Sequence, residues 1–186
     1  MGKRAPIDLR IGSAFDSVLA AAQAGAGWAR TRLYESLAPA VAGYVRAQGV
    51  SDPADLTSDV FVTVLTRLPC FAGDEDRFRS WVFTIAYRRV VDEWRSRARR
   101  LDMTAPRMEP AAEHHALARI GDEWVAEVLD MLTPDQRQVL ALRVVADLSL
   151  EQVAELVGKP VGAVKSLQHR ALATLRRTIS DQAVSR

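Results

Sequence analysis

The tightest constraint on the fold lies between residues 133 and 179. Thr133-Pro134-Asp135-Gln136 and Ser149-Leu150-Glu151-Gln152 each match the box in which a Ser or Thr oxygen accepts from a free backbone N–H while the Gln side chain reaches back. Both therefore start helices. The first runs through Val139, Leu142 and Val145; the second, through Val153 and Leu156, stops at Gly158. Only the few residues around Lys159 and Pro160 separate it from a third run with Val164, Leu167, Ala171, Leu172, Leu175 and Ile179 on one face. Helix, Gly-containing turn, helix is the helix-turn-helix arrangement, whose second helix lies in the major groove of a duplex. The face opposite the apolar stripe carries Lys165, Ser166, His169, Arg170, Arg176 and Arg177, all of them able to donate to phosphates or base edges. A plain helical hairpin with a wetted basic face is the alternative reading.

The rest of the chain is predicted to be helical too, because alternating β-branched runs are nearly absent while Ala, Leu, Arg and Glu dominate. An all-α fold follows. Between Ser51 and Leu68, Asp52 caps a first-turn Pro53, Leu56, Val60, Val64 and Leu68 recur every four residues with Phe61 and Leu65 beside them, and Pro69 ends the run. The segment from Cys70 to Asp76 reads as a loop before a helix from about Arg77 to Arg100. That helix has a wide apolar arc: Phe78, Val82, Ile85 and Ala86 on one stripe, Phe83, Tyr87, Val90, Val91 and Trp94 on the next. From Leu101 to Gly121 no sustained apolar period survives two prolines and two adjacent histidines, so a linker is expected there. With 186 residues, two small domains fit best.

The formal net charge of +2 conceals a strong asymmetry. Arg77 to Arg100 holds eight arginines against Asp92 and Glu93, a local charge of +6. Leu101 to Asp130 sets seven acids against Arg107 and Arg119, giving −5, whereas Lys159 to Arg177 holds five cations and no acid. The order basic, acidic, basic suggests one polyanion touched at two places. Solvated helix faces would explain either block taken alone.

Several classes are set aside. Cys70 stands alone, so neither an internal disulfide framework nor a cysteine zinc cluster is possible, and a reducing, cytoplasmic setting is expected. The Ala-rich stretch from Ala14 to Ala29 is interrupted by Asp16, Gln23 and two glycines, and Pro6 stands where a myristoylation signal needs Ser or Thr, so no membrane association is expected. An enzyme holding magnesium on Asp55, Asp59 or Asp74 is geometrically conceivable but not distinctive. His114 and His115 point apart on any helix and have no third ligand nearby, so neither metal nor cofactor is expected. A stand-alone helix-turn-helix regulator with an N-terminal sensing domain is the main rival.

Both halves then converge. Asp55-Leu56-Thr57-Ser58-Asp59-Val60-Phe61, Phe71-Ala72-Gly73, Phe78-Arg79-Ser80-Trp81-Val82-Phe83-Thr84-Ile85-Ala86, Asp92, the arginine run, Leu148 to Gly158, and Gly162-Ala163-Val164-Lys165-Ser166 follow one another in this order. Over roughly residues 12 to 180 the set resembles the extracytoplasmic-function sigma factors of the sigma-70 family. The resemblance implies two small helical domains joined by a flexible linker: residues 12–100 as sigma region 2, 101–121 as linker, and 122–186 as region 4 with its helix-turn-helix. It implies a non-enzymatic transcription initiation factor that binds core RNA polymerase at the largest subunit's clamp helices and at the flap. Duplex and single-stranded promoter DNA, and an anti-sigma factor, are its other implied partners.

Residue by residue, the resemblance assigns polymerase binding to Asp55, Leu56, Asp59 and Phe61. Ser58-Asp59 stands where Gln-Glu is more usual. It assigns recognition and melting of the minus-ten element to Phe71, Arg77, Arg79, Trp81, Tyr87, Arg88 and Arg95, where many relatives carry Asn in place of Arg88. For Trp81 a core aromatic at helical spacing is an equally good reading. Recognition of the minus-thirty-five element falls to Lys165, Ser166, His169, Arg170, Arg176 and Arg177. About twenty residues of extended linker span at most ~70 Å, enough to bridge the two elements.

Overall fold

The computed structural model describes residues 10–103 and 128–184. Among them there are helices and turns and no strand. The N-terminal unit is a bundle of α1 (Phe15–Gln23), α2 (Gly27–Ala47), α3 (Pro53–Arg67) and α4 (Glu75–Met103). Helical residues 128–130, then α5 (Pro134–Val144), α6 (Leu150–Val157) and α7 (Val161–Val184), form the C-terminal unit. Most of the expected linker lies outside the described residues; its first three continue α4 to Met103.

Local chemistry sets several helix ends close to where the sequence put them, although α4 begins at Glu75, inside the expected loop, and runs on to Met103. The Asp52 carboxylate accepts from the N–H groups of Ala54 and Asp55 ahead of Pro53, and α3 gives way at Pro69 to a short 3-10 turn, Leu68–Cys70. Asp74 caps α4 by accepting from Arg77 N at 2.8 Å. Both Thr133 and Ser149 close complete capping boxes with Gln136 and Gln152. Gly158 ends α6 in the left-handed region at φ 66°, and Lys159 N donates to Ala154 O at 3.1 Å, the pattern of a helix stop that favours glycine. Three residues therefore turn the chain from α6 into α7.

The wide apolar arc of α4 is the centre of the first unit: Phe78, Val82, Phe83, Ile85, Ala86 and Val90 are all buried. They meet Phe15, Val18 and Leu19 of α1, Leu37, Val41 and Tyr44 of α2, and Val60 and Val64 of α3. In the second unit Val139, Leu142, Val153, Val164 and Leu167 pack together. A smaller cluster of Leu132, Leu140 and Ala171, backed by Leu172 and Leu175, anchors the far end of α7.

The two apolar cores are continuous. Nothing in the sequence announced that the units pack on each other, yet α5 lies against α2 and α6 against α4. Gly43 faces the turn after α5, where a Cβ would meet Val145 Cγ1 at 3.4 Å. Tyr44 is fully buried at this seam, and burial pushes its phenol up, with the neighbouring Gln138 amide pulling the other way. The first described residues strap the seam: Glu75 accepts from the backbone N–H groups of Ile11 and Gly12, and Arg10 pairs with Asp76 of α4 at 2.9 Å and with Asp147 at 3.4 Å.

Ser149→Ala removes the cap oxygen of the helix that leads into the turn. It is expected to lower stability by about 1 kcal/mol, read as a reduced midpoint of urea unfolding with an unchanged slope.

Candidate nucleic-acid interface

Three surfaces carry the residues singled out above. The first is a cleft of about 720 Å³ between the end of α3, the first half of α4 and α6, walled by Arg67, Phe71, Arg77, Trp81, Gln152 and Glu155. Its aromatic floor is built, not incidental. The Phe71 ring centroid lies 5.3 Å from that of Phe78 and 5.1 Å from that of Trp81, while Phe78 and Trp81 are 5.8 Å apart. Phe78 is buried and holds the other two, which remain half-buried and line the cleft. Trp81 is thus both a packed aromatic and a cleft wall, so the two readings of it are compatible.

Two residues that sequence reasoning passed over fix this floor. Gln23 donates through Nε2 to Leu68 O at 3.0 Å and to Phe71 O at 2.8 Å, pinning the turn that carries Phe71. Gly73 has φ 153°, and a Cβ on it would fall 3.0 Å from Arg77 side-chain atoms and 3.2 Å from the Phe71 ring. Only the Phe-Ala-Gly pattern hinted at the second, and nothing in the sequence hinted at the first.

Beyond the cleft, Arg88, Arg95, Arg97 and Arg99 are exposed along α4, and Tyr87 is half-buried beside them. Arg89, not among the candidates, donates to Thr63 Oγ1 at 2.9 Å and ties α4 to α3. Arg79 is the exception to the basic face. It is 6% exposed, its guanidinium donates to Ala146 O at 3.4 Å, and burial pulls its pKa down, with Arg10 acting in the same direction and Asp147, Glu75 and Asp76 opposing. In this conformation Arg79, expected to face DNA, faces the C-terminal unit instead, because its place near the start of α4 lies under the turn that follows α5.

The second surface is α3. Asp55 and Asp59 are exposed and Leu56 is half-buried, in keeping with a polar face around an apolar contact. Phe61 is not such a contact. It is 4% exposed, with its ring 4.6 Å edge-on from Tyr34, and belongs to the core. The apolar residues that α3 does present are Val62, 63% exposed, and Leu65. A four-residue stripe does not reveal which flank turns outward. The third surface is α7, where Lys165, Ser166, His169, Arg170, Arg176 and Arg177 are all exposed. Ser166 Oγ donates to Gly162 O at 2.9 Å and Arg170 Nε to Ser166 O at 3.3 Å. Lys159 pairs with Asp135 at 2.9 Å, bracing the turn against α5. Arg143 donates to Leu148 O and holds the approach to α6.

Asp74 is engaged in capping, and among the described residues no three His, Cys, Asp or Glu side chains converge as a metal site would require. The comparisons with known proteins decide the class. The sequence pattern of sigma-70 region 2 matches residues 33–100, and that of sigma-70 region 4 matches residues 122–175. The ECF RNA polymerase sigma factor SigD of Mycobacterium tuberculosis is 32% identical over 180 residues, 90% of this chain and 85% of SigD. The chain belongs to the ECF RNA polymerase sigma factors.

The sigma factor BldN of Streptomyces coelicolor is 34% identical over 170 residues, covering 87% of this chain and 64% of BldN. The sigma factor RpoE of Bartonella quintana, solved with the anti-sigma factor NepR, shares the fold with a TM-score of 0.67 at 21% identity, over 81% of this chain and 96% of that one. Membership disfavours the stand-alone regulator, because region 2 occupies the half of this sigma factor where a sensing domain would stand.

Replacing Gly73 by alanine puts an L side chain at a backbone setting that L residues rarely adopt, under two cleft walls. It is expected to cost about 1–3 kcal/mol in urea unfolding and to disturb the near-ultraviolet aromatic circular dichroism. An unchanged spectrum and midpoint would mean that Gly73 does not shape the cleft.

Proposed function

We propose that this sigma factor binds core RNA polymerase, carries it to promoters by reading the minus-thirty-five element with α7, and opens the duplex by holding minus-ten bases of the displaced strand in the α3–α4 cleft. The observation that carries the reading is the pairing, on one chain, of an aromatic cleft rimmed by arginines with an acid-free helix face behind a tight turn. The two suit different states of DNA. A displaced base presents a π-face, and stacking on aromatics such as Phe71 and Trp81 is worth about 1–3 kcal/mol per base. Arg77, Arg88 and Arg95 are placed to neutralise the strand's phosphates, with Tyr87 beside them. A paired base instead presents its edge in the major groove, where Arg170, Lys165, Ser166 and His169 reach from a rigid helix. Arg176 and Arg177, farther along α7, meet backbone phosphate.

On the polymerase side, Asp55 and Asp59 offer charge to a basic partner, and Leu56, Val62 and Leu65 are the apolar contacts beside them. The clamp helices of the largest subunit are the partner proposed for α3, and the flap that for the C-terminal unit. The protein acts by binding and performs no chemistry of its own. It works in the cytoplasm, with an anti-sigma factor as its regulator. No described helix is long and apolar enough to cross a membrane.

Run-off transcription with added core polymerase on a randomised promoter library tests the reading. Discrete, enriched start sites are expected with the chain and none without it. On the selected promoter, Arg170→Ala is expected to cost roughly 1–3 kcal/mol and to relax preference at one base position of the minus-thirty-five element, read by footprints on single-base variants. Removing Arg176 and Arg177 together should weaken binding for all sequences and reduce the magnitude of the salt slope by about two.

A further inference from the structure

The loop that carries Phe71 is held from outside the residues that match sigma-70 region 2. That match begins at residue 33, whereas the ties to the loop come from α1 and the turn ahead of it. On one side Gln23, at the end of α1, donates through Nε2 to Leu68 O at 3.0 Å and to Phe71 O at 2.8 Å. On the other, the two Glu75 carboxylate oxygens accept from Ile11 N at 2.5 Å and from Gly12 N at 2.9 Å. Between these ties the Phe15 ring lies 5.6 Å from Phe78, the buried ring on which Phe71 and Trp81 lean. The N-terminal segment thus reaches the loop at both ends and the aromatic floor in the middle.

The loop has little of its own to keep it in place. Phe71 N donates back to Leu68 O at 3.0 Å, but Pro69 has no N–H to offer, and Pro69, Cys70 and Ala72 are exposed. One amide nitrogen ties two carbonyls three residues apart, so Gln23 sets the direction in which the backbone leaves the turn, with Phe71 extended at φ −76° and ψ 137°. From this we propose that α1 is a positioning element of the minus-ten cleft and that Gln23 is its positioning residue, holding Phe71 where it can stack on a displaced base. Gln23 is not among the cleft walls and acts through Phe71. The inference rests on the proposed use of that cleft for single-stranded DNA. Gln23 is half-buried at a helix end, so a side chain of equal length without N–H groups fills the same space and leaves both carbonyls to water. The fold survives that change, and the aim of the Phe71 ring does not.

Gln23→Met keeps the length and removes the donors; Gln23→Asn keeps the amide but is one methylene too short to hold both carbonyls. Wild type, both variants, Phe71→Leu and the double variant Gln23→Met with Phe71→Leu are each assembled with core polymerase. Their affinities are measured for a fluorescein-labelled fork probe, taken from a promoter selected with this chain, whose non-template minus-ten bases are single-stranded. The same probe is then used with one of those bases at a time replaced by an abasic sugar. In wild type, removing the stacked base should weaken binding at least about fivefold at one position. In Gln23→Met and Gln23→Asn the same removal should cost about twofold or less, and adding Gln23→Met to Phe71→Leu should leave the affinity unchanged. A merely structural role would weaken binding to intact and abasic probes equally. An abasic penalty that is present in wild type and undiminished in the variants therefore overturns the inference alone, as does an additive double variant. Should Gln23→Met fail to fold, Gln23→Asn takes its place throughout. Absence of any abasic penalty in wild type contradicts the proposed use of the cleft, and the inference falls with it.

Discussion

One helix carries conflicting demands, and the molecule is arranged around how it meets them. α4 must bury Phe78, Val82, Phe83, Ile85, Ala86 and Val90 against three other helices while keeping a run of arginines exposed to solvent. A 29-residue helix has room to do both, because the buried arc is concentrated in its first half and the exposed arginines increase toward its end. Burial of the aromatic half fixes the axis, and the fixed axis aims the charged half. The cleft stands at the junction: Phe78 is core, Phe71 and Trp81 lean on it, and Arg77 rims the opening.

The same economy governs the C-terminal unit. Capping boxes at Thr133 and Ser149 and a left-handed Gly158 define three helix ends within a short stretch, so the angle between α6 and α7 is set largely by local chemistry. Val164 and Leu167 then seat α7 with its donor face outward. Rigid presentation matters here, since hydrogen bonds to base edges discriminate only when the side chains start from a fixed backbone.

Much of this was legible in the sequence because the relevant signals are local. Caps, the proline stop at Pro69, the apolar period of α3 and the charge order all depend on neighbours within a few residues. The misreadings share the opposite property. Phe61 and Val62 are adjacent on α3, and which of them turns inward depends on Tyr34, far away in the chain. Arg79 belongs to a basic run by sequence, but its carbonyl partner at Ala146 is 67 positions distant. Gln23 holds the Phe71 turn across 48 positions, with no pattern to mark it. The seam between the units rests on Gly43, Tyr44 and Gln138, none of which looks exceptional alone.

The central claim is that a base of the displaced promoter strand occupies the cleft between α3 and α4 when this sigma factor works with core polymerase. The most direct measurement is photocrosslinking from 4-thiothymidine placed singly along the minus-ten region of the non-template strand, in open complexes formed on a promoter selected with this chain, with crosslinked peptides mapped by mass spectrometry. The account predicts that one position crosslinks strongly to the segment from Thr66 to Thr84 and that its neighbours do so weakly. Crosslinks confined to polymerase subunits, or spread evenly over the sigma factor with none favoured in that segment, would contradict it.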